Sequence, residues 1–135
     1  EIDRSIVGSE MCIRDRHYNL LLVDSIGVLK YIYKLANVTY IGGGFMKKGL
    51  HNILESCIYG NPIIIGENYK FFNEAKDLIN LKGCFSIKNS KEFHAIVNEL
   101  IFSEKRRNKI QIINCKFIND NLVSINKIIK SIKNE

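Results

Sequence analysis

Gly42-Gly43-Gly44-Phe45-Met46-Lys47-Lys48-Gly49-Leu50-His51-Asn52-Ile53-Leu54-Glu55-Ser56, the stretch GGGFMKKGLHNILES, decides how this chain folds. The β-branched and aromatic run Val38-Thr39-Tyr40-Ile41 stands directly before it, and apolar residues at helical spacing fill its second half. The glycines therefore sit at a strand-to-helix turn. In open α/β sheets the crevice beyond the carboxyl ends of the strands is where ligands bind. Three consecutive glycines remove every Cβ and let backbone approach a ligand, while a helix start offers N–H groups and the positive end of its dipole. An anion fits such a place. The spacing matches neither a P-loop, since no Gly-Lys-Ser/Thr follows, nor GxGxxG, because Gly42, Gly43, Gly44 and Gly49 have the wrong intervals. On the glycines alone, a purely structural tight turn stays open.

Working outward, the chain alternates strand and helix. Residues 19–24 (NLLLVD) read as a strand buried on both faces, and residues 26–36 as a helix with Val28, Leu29, Ile32, Leu35 and Ala36 at helical spacing. Residues 38–41 form the next strand and residues 50–59 the next helix, with Leu50, Ile53, Leu54, Cys57 and Ile58 inward and Gly60 as its C-terminal stop. A third buried strand follows at 62–66, a helix at 72–81 with Phe72, Ala75, Leu78 and Ile79 inward, and a short strand at 84–87. Beyond these, Ser90 caps a helix carrying Phe93, Ile96, Val97, Leu100 and Ile101 on one face, and one or two more helices run to 132. This order predicts an α/β, Rossmann-like, mostly parallel sheet with helices on both faces, right-handed crossovers and a helical C-terminal tail.

Composition narrows the partners. With 135 residues, 46% of them hydrophobic, the chain builds one core, and no Pro/Gly/Ser-rich linker divides it. The net charge of +6 is spread through a sequence crowded with Lys, Ile and Asn rather than gathered into a nucleic-acid motif. No nucleic acid is expected as a partner. Cys12, Cys57, Cys84 and Cys115 lie far apart without a CxxC pair, which excludes a zinc or disulfide framework on spacing. The apolar runs are of strand length, short of a membrane span. Residues 1–16 hold three of the five arginines and show no period leading into the core. Their string Val7-Gly8-Ser9-Glu10-Met11-Cys12-Ile13-Arg14-Asp15-Arg16 resembles the conceptual translation of a sequencing adaptor. We therefore expect an artefactual or disordered extension over 1–16 and one domain over 17–135.

On the helix read over 50–59, His51, Asn52 and Glu55 lie opposite the apolar stripe, with His51 and Glu55 one turn apart. His51 and Asn52 in the first turn are candidates for a phosphate, and Glu55 for the vicinal hydroxyls of a ribose. An ordinary solvated helix face is the alternative for these three taken alone.

Taken in order, Asp24-x-x-Gly27-x-Leu29, Tyr33-x-x-Ala36, Tyr40-Ile41-Gly42-Gly43-Gly44-Phe45, Gly49-x-His51-Asn52-x-Leu54-Glu55 and Tyr59-Gly60-x-Pro62 resemble the 3-deoxy-D-manno-octulosonic acid (Kdo) transferases of lipopolysaccharide synthesis. The resemblance runs through Gly66, Phe72, Glu74 and Ala75 and covers residues 19–87. It implies the C-terminal half of a GT-B glycosyltransferase, with CMP-Kdo as donor, a lipid A precursor as acceptor, and a place at the cytoplasmic face of the bacterial inner membrane. By the same resemblance Gly43, Gly44, Phe45 and Gly49 shape the wall against the nucleotide, His51 and Asn52 approach its phosphate, and Glu55 holds the ribose. It implies no cofactor and no metal. The catalytic base and acceptor surface belong to the family's N-terminal domain, so no catalytic residue is assigned in this chain, which alone is expected to transfer nothing. Departures are Gly44 for a common serine, Ile53 and Glu67 for common prolines, and Leu122-Val123 for a glycine-alanine pair. Two further classes stay open: a GT-B enzyme using a UDP-sugar, and a non-catalytic basic module contacting nucleic acid or anionic membrane through Lys105, Arg106, Arg107 and Lys109.

Overall fold

The computed structural model describes residues 22–46 and 49–133, with side chains described as far as 123. Its elements run α1 (Leu29–Leu35), β1 (Thr39–Ile41), α2 (Leu54–Cys57), β2 (Ile63–Gly66), α3 (Asn73–Asn80), β3 (Cys84–Ile87), α4 (Ser90–Phe102) and α5 (Glu104–Lys133). The strands form one parallel sheet in the order β1-β2-β3, with Thr39 opposite Ile63 and Ile63 opposite Cys84.

Alternation along the strands sorts the core into two faces. Ile63 and Ile65 join Ile41, Leu50, Ile53, Cys57, Ala75, Leu78 and Cys84 on one side, under α2 and α3. Ile64 joins Ile87, Leu100 and Ile110 on the other, under α4 and the start of α5. The three isoleucines of β2 are wholly buried, which explains why this strand reads as a continuous apolar run. Ala75, Leu78 and Leu100 face inward as the periodicity predicts, but Ile101 is 52% exposed and Ile58 55%, so neither joins the core.

Four boundaries differ from the sequence expectation. The strand expected over 19–24 lies outside the described residues for 19–21, and Leu22, Val23 and Asp24 form no strand, with Leu22 63% exposed. The sheet has three strands among the described residues. The helix expected over 26–36 shortens to α1, which buries none of its residues fully: Leu35 is 83% exposed and only one side, with Ile32 and Tyr33, is half-buried. It rests beside α2, with Tyr33 packed against the edge of the core. The helix expected over 50–59 shortens to four residues, because the segment before it is tied back to the glycine turn by the His51 N–H, which donates to the Gly42 carbonyl at 3.1 Å. The cap of α4 is Asn89 rather than Ser90: the Asn89 side chain accepts from the Glu92 N–H at 3.0 Å, while the Glu92 carboxylate accepts from the Lys88 N–H at 2.9 Å. That reciprocal arrangement is a capping box shifted by one residue. Among the described residues no helix is long and apolar enough to cross a membrane.

The buried polar groups tie α5 to the sheet. The Asn114 carboxamide, wholly buried on α5, donates to the carbonyls of Asn61 at 2.7 Å and Gly83 at 3.1 Å, the residues that lead into β2 and β3. Asn61 in turn donates to the Tyr33 carbonyl at 2.7 Å. Thr39 and Ser56 share a hydroxyl hydrogen bond of 2.7 Å that fastens α2 to β1. Each of these closes a donor that burial would otherwise leave costly.

Candidate functional site

A cleft of about 190 Å³ opens at the carboxyl end of β1, lined by Leu29, Tyr33, Tyr40, Ile41, Gly42, His51, Asn52 and Glu55. This is where parallel α/β sheets place their ligands. Pockets that enclose a whole drug-sized molecule start at roughly 300 Å³, so this cleft accommodates part of a nucleotide rather than all of it.

The glycine turn supports the cleft from behind. Gly43 has φ of +90°, and a Cβ there would strike the Gly49 carbonyl oxygen and come within 2.9 Å of the His51 ring. A Cβ on Gly44 would lie 2.6 Å from the Gly66 nitrogen, because the turn crosses the end of β2 backbone against backbone, and the Gly44 carbonyl accepts from the Asn68 N–H at 2.8 Å. Gly42 alone of the three borders the cleft, and a Cβ there would meet nothing within 4 Å. So the run works chiefly as a packing joint. Gly43, Gly44 and Gly49, expected to shape the wall against the nucleotide, stand behind this cleft, and Phe45, 46% exposed, lies outside its lining.

The polar residues expected together do come together. His51, Asn52 and Glu55 all line the cleft, but His51 and Asn52 precede α2 instead of forming its first turn. The helix-start N–H groups expected to meet an anion are therefore fewer. The His51 N–H is bonded to Gly42 and the Leu54 N–H donates to the Asn52 carboxamide oxygen at 3.0 Å, while the Asn52 amide donates to Glu55 Oε1 at 3.1 Å. A four-residue helix also carries little dipole. What faces the cleft is an imidazole and a carboxylate, with Asn52 bracing the latter.

Leu29, Tyr33, Tyr40, Ile41 and Gly42 were not among the candidates, and they supply the apolar walls. Leu29 and Tyr33 stand four residues apart on α1, the spacing that puts two side chains on one helix face, and all five residues belong to the motifs that carry the family resemblance. The Tyr33 phenol is held above its usual pKa, first by burial and then by the negative charge of Glu55. Both groups thus answer to the same small volume.

The basic cluster resolves differently from a binding surface. Arg106 forms an ion pair with Glu99 and stacks 5.5 Å over the Phe85 ring. Arg107 donates to the carbonyls of Leu100 and Ile101, each at 2.7 Å, closing the end of α4. Two of its four cations are therefore occupied within the fold.

No protein-family model matches the chain. Over 113 residues it is 29% identical to a bifunctional glycosyltransferase/methyltransferase of Fusobacterium nucleatum, a match covering 83% of this chain and 17% of that protein. Over 94 residues it is 33% identical to a 3-deoxy-D-manno-octulosonic acid transferase of Aquifex aeolicus, covering 69% of this chain and 26% of that protein. The chain thus spans only about a quarter, or less, of these relatives' length. Among solved structures it is similar to the C-terminal CMP-Kdo binding domain of WaaA from Acinetobacter baumannii, with a TM-score of 0.64 at 23% identity over 71% of this chain and 51% of that one. The parallel sheet, the cleft at its carboxyl end and these matches together make the chain a relative of the 3-deoxy-D-manno-octulosonic acid transferases, with the fold of the C-terminal half of a GT-B glycosyltransferase.

Proposed function

We propose that this chain is the donor-binding part of a Kdo transferase: it holds the nucleotide of CMP-Kdo, and the whole protein transfers Kdo to a lipid A precursor at the cytoplasmic face of the inner membrane. The observation that carries the reading is the cleft in which His51 and Glu55 meet the walls formed by Leu29, Tyr33 and Tyr40. Aromatic and aliphatic side chains suit a nucleoside, a carboxylate accepts from ribose hydroxyls, and an imidazole donates to a phosphate. When the sugar departs, negative charge grows on the single phosphate of CMP, and a positioned donor such as His51 stabilises it. One phosphate needs no divalent ion to bridge it to a second, so binding is expected to be independent of metal. Gly43, Gly44 and Gly49 serve this site by fixing the turn behind it, and Phe45 flanks that turn.

Calorimetry on the 135-residue chain tests it. CMP is expected to bind weakly, more tightly than UMP or UDP and unchanged by EDTA, and Glu55→Gln to weaken it about tenfold, the size of one charge-assisted hydrogen bond. Preference for UDP would reassign the donor. Kdo transfer by this chain alone would overturn the placing of the catalytic base outside it.

A further inference from the structure

The resemblance gives Glu55 a role and Tyr33 none, yet the wall that Tyr33 forms is built with equal care. Tyr33, on α1, lines the same cleft and is half-buried there. Its backbone is pinned: the Tyr33 carbonyl accepts from Asn61, whose own carbonyl accepts from the buried Asn114 of α5, each at 2.7 Å. Tyr33 is thereby held against the entry to β2 by a chain of hydrogen bonds that begins on the far helix.

Glu55 is fixed by a different device. Both polar atoms of the Asn52 side chain are engaged within the chain, the oxygen with the Leu54 N–H and the amide with Glu55 Oε1. Asn52 therefore orients the carboxylate instead of reaching a ligand. That leaves one carboxylate oxygen, Oε2, without a contact to Asn52.

The two groups are complementary in hydrogen-bond chemistry. An ionised carboxylate only accepts, whereas a phenol both donates and accepts. Burial and the nearby charge of Glu55 keep the Tyr33 phenol protonated, so it faces the cleft as an O–H group. A vicinal diol offers two hydroxyls, each able to donate and accept.

We propose that Tyr33 and the Asn52-oriented carboxylate of Glu55 grip the ribose diol of the bound nucleotide from two sides. Tyr33 is then a specificity-determining residue that selects ribose over deoxyribose, and Asn52 a positioning residue. This rests on the nucleotide-binding reading above.

The test compares CMP with 2′-deoxy-CMP on the 135-residue chain by calorimetry. The parent chain is expected to favour CMP about tenfold, the effect of one hydrogen-bonded hydroxyl. Tyr33→Phe keeps the ring and the buried packing; it is expected to bring that ratio to within about twofold while leaving 2′-deoxy-CMP affinity unchanged. Asn52→Asp can still accept from the Leu54 N–H but repels Glu55; it is expected to erase the ratio with an unchanged melting temperature. Equal weakening of both nucleotides by Tyr33→Phe would show a merely structural tyrosine and overturn the inference while the nucleotide reading stands. If the parent chain binds neither nucleotide, that reading fails and the inference with it.

Discussion

At the residue scale, adjacent glycines in one motif do separate jobs. Gly44 is required by the approach of Gly66, since a Cβ would lie 2.6 Å from a backbone nitrogen that no side-chain rotation can move. Gly42 has open space and no positive φ. Gly44→Ala is therefore expected to cost about 2–3 kcal/mol in urea denaturation, as overpacking of a tight joint does, and Gly42→Ala less than about 0.5 kcal/mol. Equal losses at the two positions would refute the division of labour. The sequence shows three equivalent letters, because the distance from Gly44 to Gly66 depends on a crossover and not on local spacing.

The cysteines make a second residue-scale case. Burial pushes the Cys57 and Cys84 thiols up to about 12 from 9.0, with the neighbouring Cys115 adding to the first and Cys57 to the second. Thiols this suppressed do not form the reactive thiolate near neutrality. Both are expected to resist a thiol reagent at pH 8 until the chain unfolds. In the linkage, each thiol keeps its proton in the folded state but loses it in the unfolded state between pH 9 and about 12. Stability is therefore whole below pH 9 and declines as pH rises toward 12. Melting temperatures that stay flat from pH 8.5 to pH 11 would contradict that burial.

At the scale of elements, the ends of helices decide more than their middles. The end of α4 lies where Arg107, one turn into α5, donates to the last carbonyls of α4, and Ser103 accepts from Arg106 and Arg107 N–H groups at 3.1 Å. A cation at a helix C-terminus also meets the negative end of the dipole. Arg107→Ala is expected to lower stability by about 1–2 kcal/mol, and Arg107→Lys to recover only part of it, since an ammonium lacks the planar fork. Urea titration of both variants checks this. Binding to anionic vesicles that drops with Arg107→Ala at unchanged stability would instead restore a surface role for the cluster. The same logic governs α2, whose length is set by Asn52 taking the Leu54 N–H and by the turn retaining His51. Periodicity alone extends that helix to Leu50, because Leu50 and Ile53 are buried as a helical stripe would bury them, though they reach the core from an irregular lead-in.

At the scale of the whole molecule, the three parallel strands and two apolar layers of the described residues shape the cleft, and the support for it comes from far along the chain. Asn114 on α5 secures the segments entering β2 and β3, and through Asn61 it reaches Tyr33 beside the cleft. A sequence window around the glycine run contains none of this. What the amino-acid order determined by itself was the alternation of strand and helix, the parallel sheet, the core residues of β2 and α3, and the gathering of His51, Asn52 and Glu55, because each follows from local period and from residues within a few positions of one another. Tertiary structure alone decided that Gly43 and Gly44 pack closely behind the cleft, that Asn52 orients Glu55, that Arg106 and Arg107 are engaged within the fold, and that Tyr33 and Tyr40 form the walls. Those outcomes depend on which backbones the crossovers bring within a few ångströms, and separation along the chain carries no measure of that distance.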